Sequence, residues 1–513
     1  MPSSRAASVE ASVRVCGIET EYGVTDRANP GANPILLSSM LVAEYRLSVG
    51  AATAPWDYGG EDPLNDQRGY RRARGQAHPD LLTDAPARGG DGVTLRRRRG
   101  SWEDPSHLNA VLSNGARLYV DHAHPEYSGP EVTSARDAVL WDRAGDEVAR
   151  RAAVAASIDG ISVALYKNNV DGKGASYGTH ENFLVERAVP FDDLARRITP
   201  HLVTRQIFTG AGRVGLGQRG EEPGYQISQR ADYMEAEVGL ETTLRRPIVN
   251  TRDEPHANPA RWRRLHVIIG DANCMDVPTL LKVGTTALVL SAIEAGDERL
   301  DLLELVDPVE AVYAVSRDLS LGRRLPLATG ASSTAIELQR ALLEIARDYA
   351  ADAGDAEVLA RWEGVLERLA RDPFACAAEV EWVAKLQFLG RLRARHGSAA
   401  DPLPWDDPRL QAADVQWSDL DPARGLCSRL AAAGAVERLV TDAQIADAVT
   451  TPPSDTRAWL RGRMVAVRPE IVDAAGWSTI VLDRQMDHGD LEVVTLDDPL
   501  ATTHPLLDSL LAP

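Results

Sequence analysis

One strand pattern constrains the fold of this 513-residue chain more than any other feature. After an Asn-Gly turn signal, residues 116–121 alternate in the way that a half-buried β-strand does. Side chains two positions apart on a strand share a face, so Arg117, Tyr119 and Asp121 should project together. Glu126 follows just beyond a proline, where the chain must bend. A single face of this kind is equally typical of a solvated strand, so its meaning depends on the other strands.

Three other predicted strands repeat this arrangement of polar residues two positions apart. Their pairs are Glu19 and Glu21, His180 and Asn182, and Arg264 and His266. Each pair alone has an ordinary explanation, as a solvated strand face or a satisfied structural histidine. Together they indicate one surface on which carboxylates and imidazoles bind divalent metals and guanidiniums bind phosphates. The neighbouring carboxylates of Glu19 and Glu21 repel each other unless a cation is near, and oxygen ligands of this kind suit Mg²⁺.

The sequence offers little support for several common catalytic motifs. It contains no GxxxxGK[ST] loop, and its GxGxxG spacings at 210–215 and 215–220 do not lie between a predicted strand and a predicted helix, which argues against a P-loop and a Rossmann site. Its Gly-x-Ser-x-Gly match at 174–178 precedes a predicted strand and not a helix, and no cysteine lies on the polar strand faces, so serine or cysteine hydrolase chemistry is not supported. Asp121 is the carboxylate that spacing does not assign to a metal. We therefore predict that Asp121 is the catalytic nucleophile or general base, and the sequence leaves both roles open.

The composition excludes other classes of function. The net charge of −19 argues against nucleic acid as the main partner. No run of about 18 apolar residues occurs, so we expect no membrane span. The four cysteines are scattered and form no Cys-x-x-Cys pair, which suits a reducing cytosol and argues against a structural zinc site. We expect a cytoplasmic protein that binds neither nucleic acid nor membrane.

Composition and periodicity also predict how the chain is divided. We predict a disordered tail at 1–12, a catalytic domain at 13–410 with a mobile insertion at 49–100, and a small C-terminal α/β domain at 411–513. The insertion is long, polar and without periodicity, which in a compact domain is typical of functional or disordered loops. Its Arg96–Arg99 run is either a solvated segment or a docking patch for an acidic partner.

Helix signals flank the polar strands. Asn33 followed by Pro34 is typical of a helix start, and Thr334 with Glu337 forms a capping box. The segment at 277–296 is strongly apolar and predicts a buried helix. The chain therefore combines predicted helices with predicted strands.

Several segments of the chain resemble the Pup ligase and Pup deamidase family of actinobacteria. They are Gly17–Gly23, Asn114–Tyr127, Tyr166–Asn169 with Tyr177–Asn182, Arg246–His256, and Thr451–Trp459 continuing into Arg461 and Gly462. This family is part of the glutamine-synthetase-like carboxylate-amine ligase superfamily. The resemblance implies an α+β fold, in which a curved, mainly antiparallel sheet cradles ATP and Mg²⁺, helices pack behind the sheet, and a small domain follows at the C-terminus.

The resemblance also implies a role for individual residues. One metal set matches Glu19, Tyr119 and Glu126, and a second set, by analogy with the superfamily, matches Glu21, His180 and His266. Nucleotide contacts match Arg117, Ser128, Gly129, Asn182, Arg264 and Trp477. Gly129 stands where the family more often has alanine. Asp121 matches the catalytic aspartate, in agreement with the strand faces.

Two features favour the deamidase/depupylase branch of the family over the ligase branch. The segment from Asp121 to Glu126 has the deamidase spacing, whereas the ligases have one more residue between these carboxylates. The long insertion is also a deamidase feature, although its length and its arginine run depart from the family pattern. The resemblance therefore implies an ATP- and Mg²⁺-dependent amidase that converts the C-terminal Gln of Pup to Glu and cleaves the isopeptide bond between Pup and a substrate lysine. ADP with phosphate is the other form in which the nucleotide could serve.

Three alternatives remain at this point. The nearest is a Pup–protein ligase with the same fold and the opposite net reaction. A glutamine synthetase or γ-glutamyl ligase that acts on free amino acids is disfavoured by the Pup-type motifs. A paralogue that only binds nucleotide and Pup is disfavoured because every proposed ligand position is retained.

Overall fold

The computed structural model describes residues 13–50, 52–78, 81–82, 108–171, 176–215, 222–397, 401–485 and 491–512. The predicted tail at 1–12 and the Arg96–Arg99 run lie outside these residues. The strands are β1 (Cys16–Glu21), β2 (Gly23–Asp26), β3 (Thr53–Ala54), β4 (Asn65–Asp66), β5 (Tyr70–Arg71), β6 (Asn109–Leu112), β7 (Arg117–Asp121), β8 (His124–Ser128), β9 (Val163–Tyr166), β10 (Thr179–Glu186), β11 (Arg213–Gly215), β12 (Gly224–Gln226), β13 (Met234–Gly239), β14 (Arg246–Asn250), β15 (Trp262–Val267), β16 (Leu325–Pro326), β17 (Ser332–Ser333), β18 (Val472–Ala475), β19 (Thr479–Leu482) and β20 (Glu492–Thr495).

The helices alternate with these strands and dominate the second half of the chain. They are α1 (Pro34–Val49), α2 (Ala135–Ala156), α3 (Phe191–Thr204), α4 (Gln206–Thr209), α5 (Asp276–Glu294), α6 (Pro308–Arg317), α7 (Ala335–Ala346), α8 (Ala353–Arg371), α9 (Glu381–His396), α10 (Pro408–Trp417), α11 (Leu426–Ala432), α12 (Asp442–Ala448), α13 (Ala458–Val467) and α14 (Pro505–Leu511). The predicted starts of two of them are confirmed. Asn33 caps α1 by accepting a hydrogen bond from Ile35 N, and Thr334 with Glu337 forms the capping box of α7.

A nine-stranded sheet forms the centre of the molecule, with the strand order β13-β14-β15-β10-β1-β8-β7-β6-β3. Only β13 and β14 pair in parallel within it, and the other neighbours are antiparallel. The register sets Glu19 of β1 opposite His180 of β10 on one side and Ser128 of β8 on the other. Because alternate residues share a face, this pairing gathers the polar residues of the central strands on one side of the sheet.

The opposite side of the sheet is apolar and carries the main core. Ile18, Phe183 and Leu265 alternate with the polar positions and are buried in one cluster with Leu280 and Leu281 of α5. Burying a side chain of this size stabilises the fold by about 1.5–3 kcal/mol. Helix α5 is long and apolar enough to cross a membrane, but 89% of its apolar window is buried inside the protein. The predicted buried helix is therefore confirmed as a core element.

A second, smaller core lies towards the C-terminus. This core contains buried residues of helices α13 and α14 and of the three-stranded sheet β18-β19-β20. Trp56, which follows β3, and Val111 of β6 join it from the main sheet. Helices α10 and α12 instead contribute to clusters of the main body, through residues such as Leu410 and Ala448. The predicted α+β architecture, with a small C-terminal unit, is confirmed. The boundary at residue 411 stays a prediction.

The first part of the predicted insertion packs on the segment that follows β14. Gln67 donates to the carbonyl oxygens of Arg252 (3.1 Å) and Arg264 (2.7 Å), and Thr251 donates to Asp66 (2.7 Å). The strands β4 and β5 belong to this part. Residues 83–100 lie outside the described ranges, so the mobility of the insertion stays a prediction.

Candidate active site

The β7–β8 hairpin places Asp121 at the edge of the polar face. Asp121 pairs with His124 across the hairpin, so only His122 and Ala123 form the loop. His122 adopts a φ of 52° there, and its Nδ1 lies 2.9 Å from a carboxylate oxygen of Asp121. Burial would raise the pKa of Asp121, but the hydrogen bond and charge of His122 outweigh it and lower this pKa. Asp121 is therefore held as a carboxylate, the form that a nucleophile or general base requires.

One group of potential metal ligands combines a carboxylate with two imidazoles. The donor atoms of Glu19, His180 and His266 all lie within 4.8 Å of one another. His180 Nδ1 lies 3.2 Å from Glu19, and the rings of His180 and His266 meet edge to face at 5.0 Å. Burial, followed by the positive charge of Arg264, lowers the pKa of His266 well below its usual value. A neutral imidazole is the form that binds a metal.

Asn182 fixes the orientation of this group. Its amide nitrogen donates to Glu19 (2.9 Å), while its oxygen accepts from His266 Nδ1 (2.9 Å) and from Arg264 (3.1 Å). Because Nδ1 of His266 is used in this way, Nε2 is the ring nitrogen left to bind a ligand. Outer hydrogen bonds of this kind are typical of metal-binding histidines.

A second group consists only of carboxylates. The donor oxygens of Glu21, Asp121 and Glu126 lie within 4.8 Å of one another. Burial and the negative charges of Asp121, Glu21 and Glu19 raise the pKa of Glu126 well above its usual range. Three crowded carboxylates are stable in the ionised form only beside a cation, and an all-oxygen set is the one that Mg²⁺ prefers. These residues therefore fit a divalent ion.

The structure groups the predicted ligands differently from the sequence-based sets. The prediction combined Glu19 with Glu126 and Glu21 with the two histidines. The sheet register brings Glu19 beside His180, its partner in β10, and Glu21 beside Glu126, its partner in β8, while Glu21 also lies 3.8 Å from Nε2 of His180. The metal-binding role of each residue, including Tyr119, stays a prediction.

Aromatic rings and a guanidinium form one wall of the groove. The guanidinium carbon of Arg117 lies 4.0 Å from the ring centre of Trp56 and 3.9 Å from that of Tyr119. Trp56 in turn meets Trp477 edge to face at 5.2 Å. Such stacking fixes Arg117 and Trp477 on the same wall. The hydroxyl of Ser128 lies 3.5 Å from that of Tyr119.

Two adjoining cavities contain nearly all of the predicted site residues. The larger has a volume of about 440 Å³ and is lined by Asp121, Arg117, Tyr119 and Glu126 among others. The smaller, of about 80 Å³, is lined by Gly129 and Asn182. Both cavities include Glu19, Ser128, Arg264, His256 and Trp477 in their walls. Glu21 lines neither cavity but belongs to the carboxylate group described above.

Sequence reasoning missed Arg252, which lines the larger cavity. Its buried Nε and Nη2 have no hydrogen-bond partner among the residues that the structure describes. The Nε of Arg252 lies 3.7 Å from a carboxylate oxygen of Glu254. The positive charge of Arg252 contributes to the lowered pKa of Asp121. A guanidinium in the wall of a cavity is suited to bind an anionic oxygen. The charged turn at the end of β14 was the available signal.

The fold and the groove together are those of an enzyme whose polar site, on the face of a mainly antiparallel sheet, is suited to anionic ligands and divalent metals. The family model described as Pup-ligase protein matches residues 14–481. The chain therefore belongs to the Pup-ligase family, as the sequence motifs predict.

Curated relatives from both branches of the family are similar to this chain. A depupylase of Acidothermus cellulolyticus is 48% identical, with 97% of this chain and 96% of the relative covered. A Pup deamidase/depupylase of Mycolicibacterium smegmatis is 47% identical, with coverages of 92% and 91%. A Pup–protein ligase of Acidimicrobium ferrooxidans is 40% identical, with coverages of 87% and 95%. The chain is thus more similar to these deamidases and depupylases than to this ligase.

Solved structures of the ligase share the fold. A complex of Pup with its ligase PafA superposes with a TM-score of 0.79 at 32% identity, covering 98% of this chain and 93% of the other. PafA in complex with ADP superposes with a TM-score of 0.71 at 36% identity, with coverages of 79% and 89%. The sheet and the helices behind it are therefore common to both branches of the family.

Proposed function

We propose that this chain is a Pup deamidase and depupylase, an amidase that hydrolyses the C-terminal Gln side chain of Pup and the isopeptide bond between Pup and a lysine. The observation that carries the proposal is the tight β7–β8 hairpin, which brings Asp121 within 4.8 Å of Glu21 and Glu126. One extra residue, as the ligases have, would enlarge this loop and move Asp121 relative to Glu126. The higher identity to depupylases supports the same conclusion.

Asp121 performs the central step. Its carboxylate attacks the side-chain carbonyl of the terminal residue of Pup, or removes a proton from a water that does so. In the first route the C–N bond breaks as an anhydride forms with Asp121, and a water molecule then cleaves this anhydride. Both routes consume one water and give a free carboxylate on Pup and an amine or ammonia. The positive charge of Arg252, which lines the groove, stabilises the negative charge that develops on the carbonyl oxygen. His122 keeps Asp121 ionised and oriented.

The remaining residues would hold the cofactors. Glu19, Glu21, Glu126, His180 and His266, with the Tyr119 hydroxyl, would bind Mg²⁺. The nucleotide, ATP or ADP with phosphate, would contact Arg117, Ser128, Gly129, Asn182, Arg264 and Trp477. When bound, the metal would supply positive charge that polarises the substrate carbonyl, and the nucleotide phosphates would help to position the metal and the substrate. We propose that the nucleotide is not consumed stoichiometrically. The structure of PafA with ADP supports a nucleotide in this groove.

The proposed partners are Pup and pupylated proteins in the cytoplasm. The complex of Pup with PafA supports a Pup-binding surface on this fold. Neither nucleic acid nor a membrane has a place in the proposed reaction.

The test is an assay on purified protein with ATP, Mg²⁺ and a Pup–lysine conjugate, in which free Pup and ADP are measured together. We expect release of Pup in large excess over formation of ADP. Formation of ADP in step with new Pup conjugates, without release of Pup, would identify a ligase and overturn the proposal.

A further inference from the structure

Two of the four cysteines meet in the folded chain although 153 positions separate them. Cys274 lies in the turn that precedes α5, and Cys427 is the second residue of α11. The Cys427 sulfur lies 3.5 Å from the Cys274 carbonyl oxygen. The neighbouring Cys274 side chain, followed by burial, raises the pKa of Cys427. The Cys427 thiol therefore packs against Cys274, and both side chains belong to one small buried cluster.

The thiol pair is open to solvent on one side. Both cysteines line a groove of about 660 Å³ between α2, α10, α11 and α12. This groove shares no lining residue with the two cavities of the candidate active site. Cys274 is half-buried, whereas Cys427 is 3% exposed. A small reagent can reach the Cys274 sulfur first, because that thiol is the more exposed of the two.

Hydrogen bonds hold the Cys274 turn against α9 and the segment that follows β9. The backbone nitrogen of Cys274 donates to Glu381 (2.9 Å), which also accepts from the Trp417 indole (2.9 Å). The Cys274 thiol points to the carbonyl oxygen of Lys167 at 3.6 Å. These contacts keep the two thiols at the same place in the groove.

The other two cysteines lack this setting. Cys16 and Cys376 are buried, with 6% and 0% exposure, within the main core. Burial raises the pKa of Cys16 to about 12. Cys16 also lines the smaller cavity of the candidate active site, but its buried, protonated thiol reacts slowly with oxidants, whereas the Cys274 thiol, at which oxidation would start, is half-buried.

We propose that Cys274 and Cys427 form an oxidation site, at which a peroxide converts the two thiols to an intramolecular disulfide. The Cys274 sulfur attacks the peroxide, so that an S–O bond forms, the O–O bond breaks and one water leaves. The Cys427 sulfur then attacks the Cys274 sulfenic acid, an S–S bond forms, and hydroxide leaves with the Cys427 proton as a second water. The two thiols lose two electrons and two protons, and the peroxide is reduced to water.

The disulfide would tie the start of α5 to α11 and close a long loop of the chain. Such a cross-link restricts the unfolded chain, so the oxidised protein should unfold at a higher temperature than the reduced protein. This modification is separate from the proposed amidase activity, because its groove is distinct from the active-site cavities.

The test treats the reduced full-length protein with hydrogen peroxide, and then counts thiols and maps peptides by mass spectrometry. We expect the four free thiols to fall to two, a linked peptide that contains Cys274 and Cys427, and full reversal by dithiothreitol. In Cys427→Ser the intermediate has no partner, so dimedone should label Cys274.

Cys376→Ser is the matched control, because its thiol lies elsewhere in the core, and it should still form the linked peptide. Wild-type protein that keeps all four thiols would overturn the proposal. So would oxidation of Cys274 to sulfinic acid while Cys427 stays a free thiol. Both outcomes are read on the wild-type chain and do not depend on whether a variant folds.

Discussion

Asp121 is half-buried among other carboxylates, and its pKa is nevertheless lowered by the hydrogen bond and charge of His122. We expect Asp121→Asn to abolish amidase turnover while nucleotide binding is retained, because the amide keeps the shape of the side chain but lacks its charge. The measurement is release of Pup from a Pup–lysine conjugate, together with a nucleotide-binding titration.

Asp159→Asn is the control for this substitution. Asp159 is exposed and has a φ of 52°, a conformation that asparagine tolerates well, so its replacement should leave activity unchanged. Full turnover in Asp121→Asn would contradict the role assigned to Asp121.

Arg252 makes the second prediction at this scale. Arg252→Gln should lower kcat/KM about 100-fold, the usual loss when one donor to a developing oxyanion is removed. The matched control is Arg261→Gln, because the Arg261 side chain is 62% exposed and lies over the ring of Trp262. The measurement is kcat/KM of the two variants in steady-state kinetics. Equal values in both variants would show that Arg252 does not stabilise the oxyanion.

The candidate residues could be predicted from the sequence to a large extent, because period-two alternation tells which side chains share a face. That reasoning found Glu19 and Glu21, and the Arg117 strand. It could not assign Arg252, since this residue lies beyond the end of β14, where alternation no longer gives a direction. Trp56 was missed for the same reason, because it lies in a segment without periodicity.

At the scale of strands and helices, the existence of each polar strand was predictable but its register was not. The alternation that predicts β1 says nothing about whether Glu19 faces His180 or Glu126. That choice depends on hydrogen bonds between strands far apart in the chain, and these bonds decide how the potential metal ligands are grouped. Helix starts were easier to predict, because a capping box acts within four residues.

The contact between α13 and the β6–β7 turn leads to a prediction about packing. A Cβ added at Gly462 of α13 would lie 2.4 Å from the carbonyl oxygen of Ser113 and 2.9 Å from the nitrogen of Gly115. These are backbone atoms that cannot move alone, so Gly462→Ala should reduce the free energy of unfolding by about 1–3 kcal/mol. Urea denaturation measures this change.

Gly390 of α9 provides the contrast. A Cβ there would have no neighbour within 4 Å, so Gly390→Ala should be neutral or should stabilise the protein by up to about 1 kcal/mol. If both variants lost the same stability, close packing of α13 would not be the cause.

At the scale of the whole molecule, one buried carboxylate joins the C-terminal unit to the main sheet. Glu131 pairs with Arg457 (2.8 Å) and with Arg461, which also donates to the carbonyl oxygen of Gly115. Glu131→Gln should lower the free energy of unfolding at neutral pH by about 3 kcal/mol, because two buried guanidiniums lose their counter-charge. The exposed pair of Glu470 with Arg468 is the control, and Glu470→Gln should change little.

The same carboxylate gives a pH dependence. Burial alone would raise the pKa of Glu131, but Arg461 and Arg457 outweigh it and lower the pKa from 4.5 to about 2. A folded-state pKa below the unfolded one means that the stabilisation is complete above pH 4.5 and is lost as the pH falls towards 2. The difference in the free energy of unfolding between wild type and Glu131→Gln should therefore be constant above pH 4.5 and should shrink as the pH falls from 4.5 towards 2. A difference that stays constant in acid would assign the loss to packing.

The overall division of the chain was only partly predictable. The Pro- and Asp-rich segment before α10 does not end the helical region, because helices α10 to α13 follow it. The sequence could not indicate that α10 and α12 pack on the main body while α13 joins the smaller core. An amphipathic helix specifies that one face is buried, but not which surface buries it.

The contact between Trp56 and Trp477 places two fluorescent side chains in the wall of the groove. The two indoles come from opposite ends of the chain, meet at 5.2 Å and lie on the wall that also carries Arg117. Indole emission responds to nearby charge and to water, so entry of an anion beside these rings will change the colour and intensity of the fluorescence. The protein thus carries its own label-free sensor of occupancy, with which ligand exchange can be followed in real time in the unmodified chain.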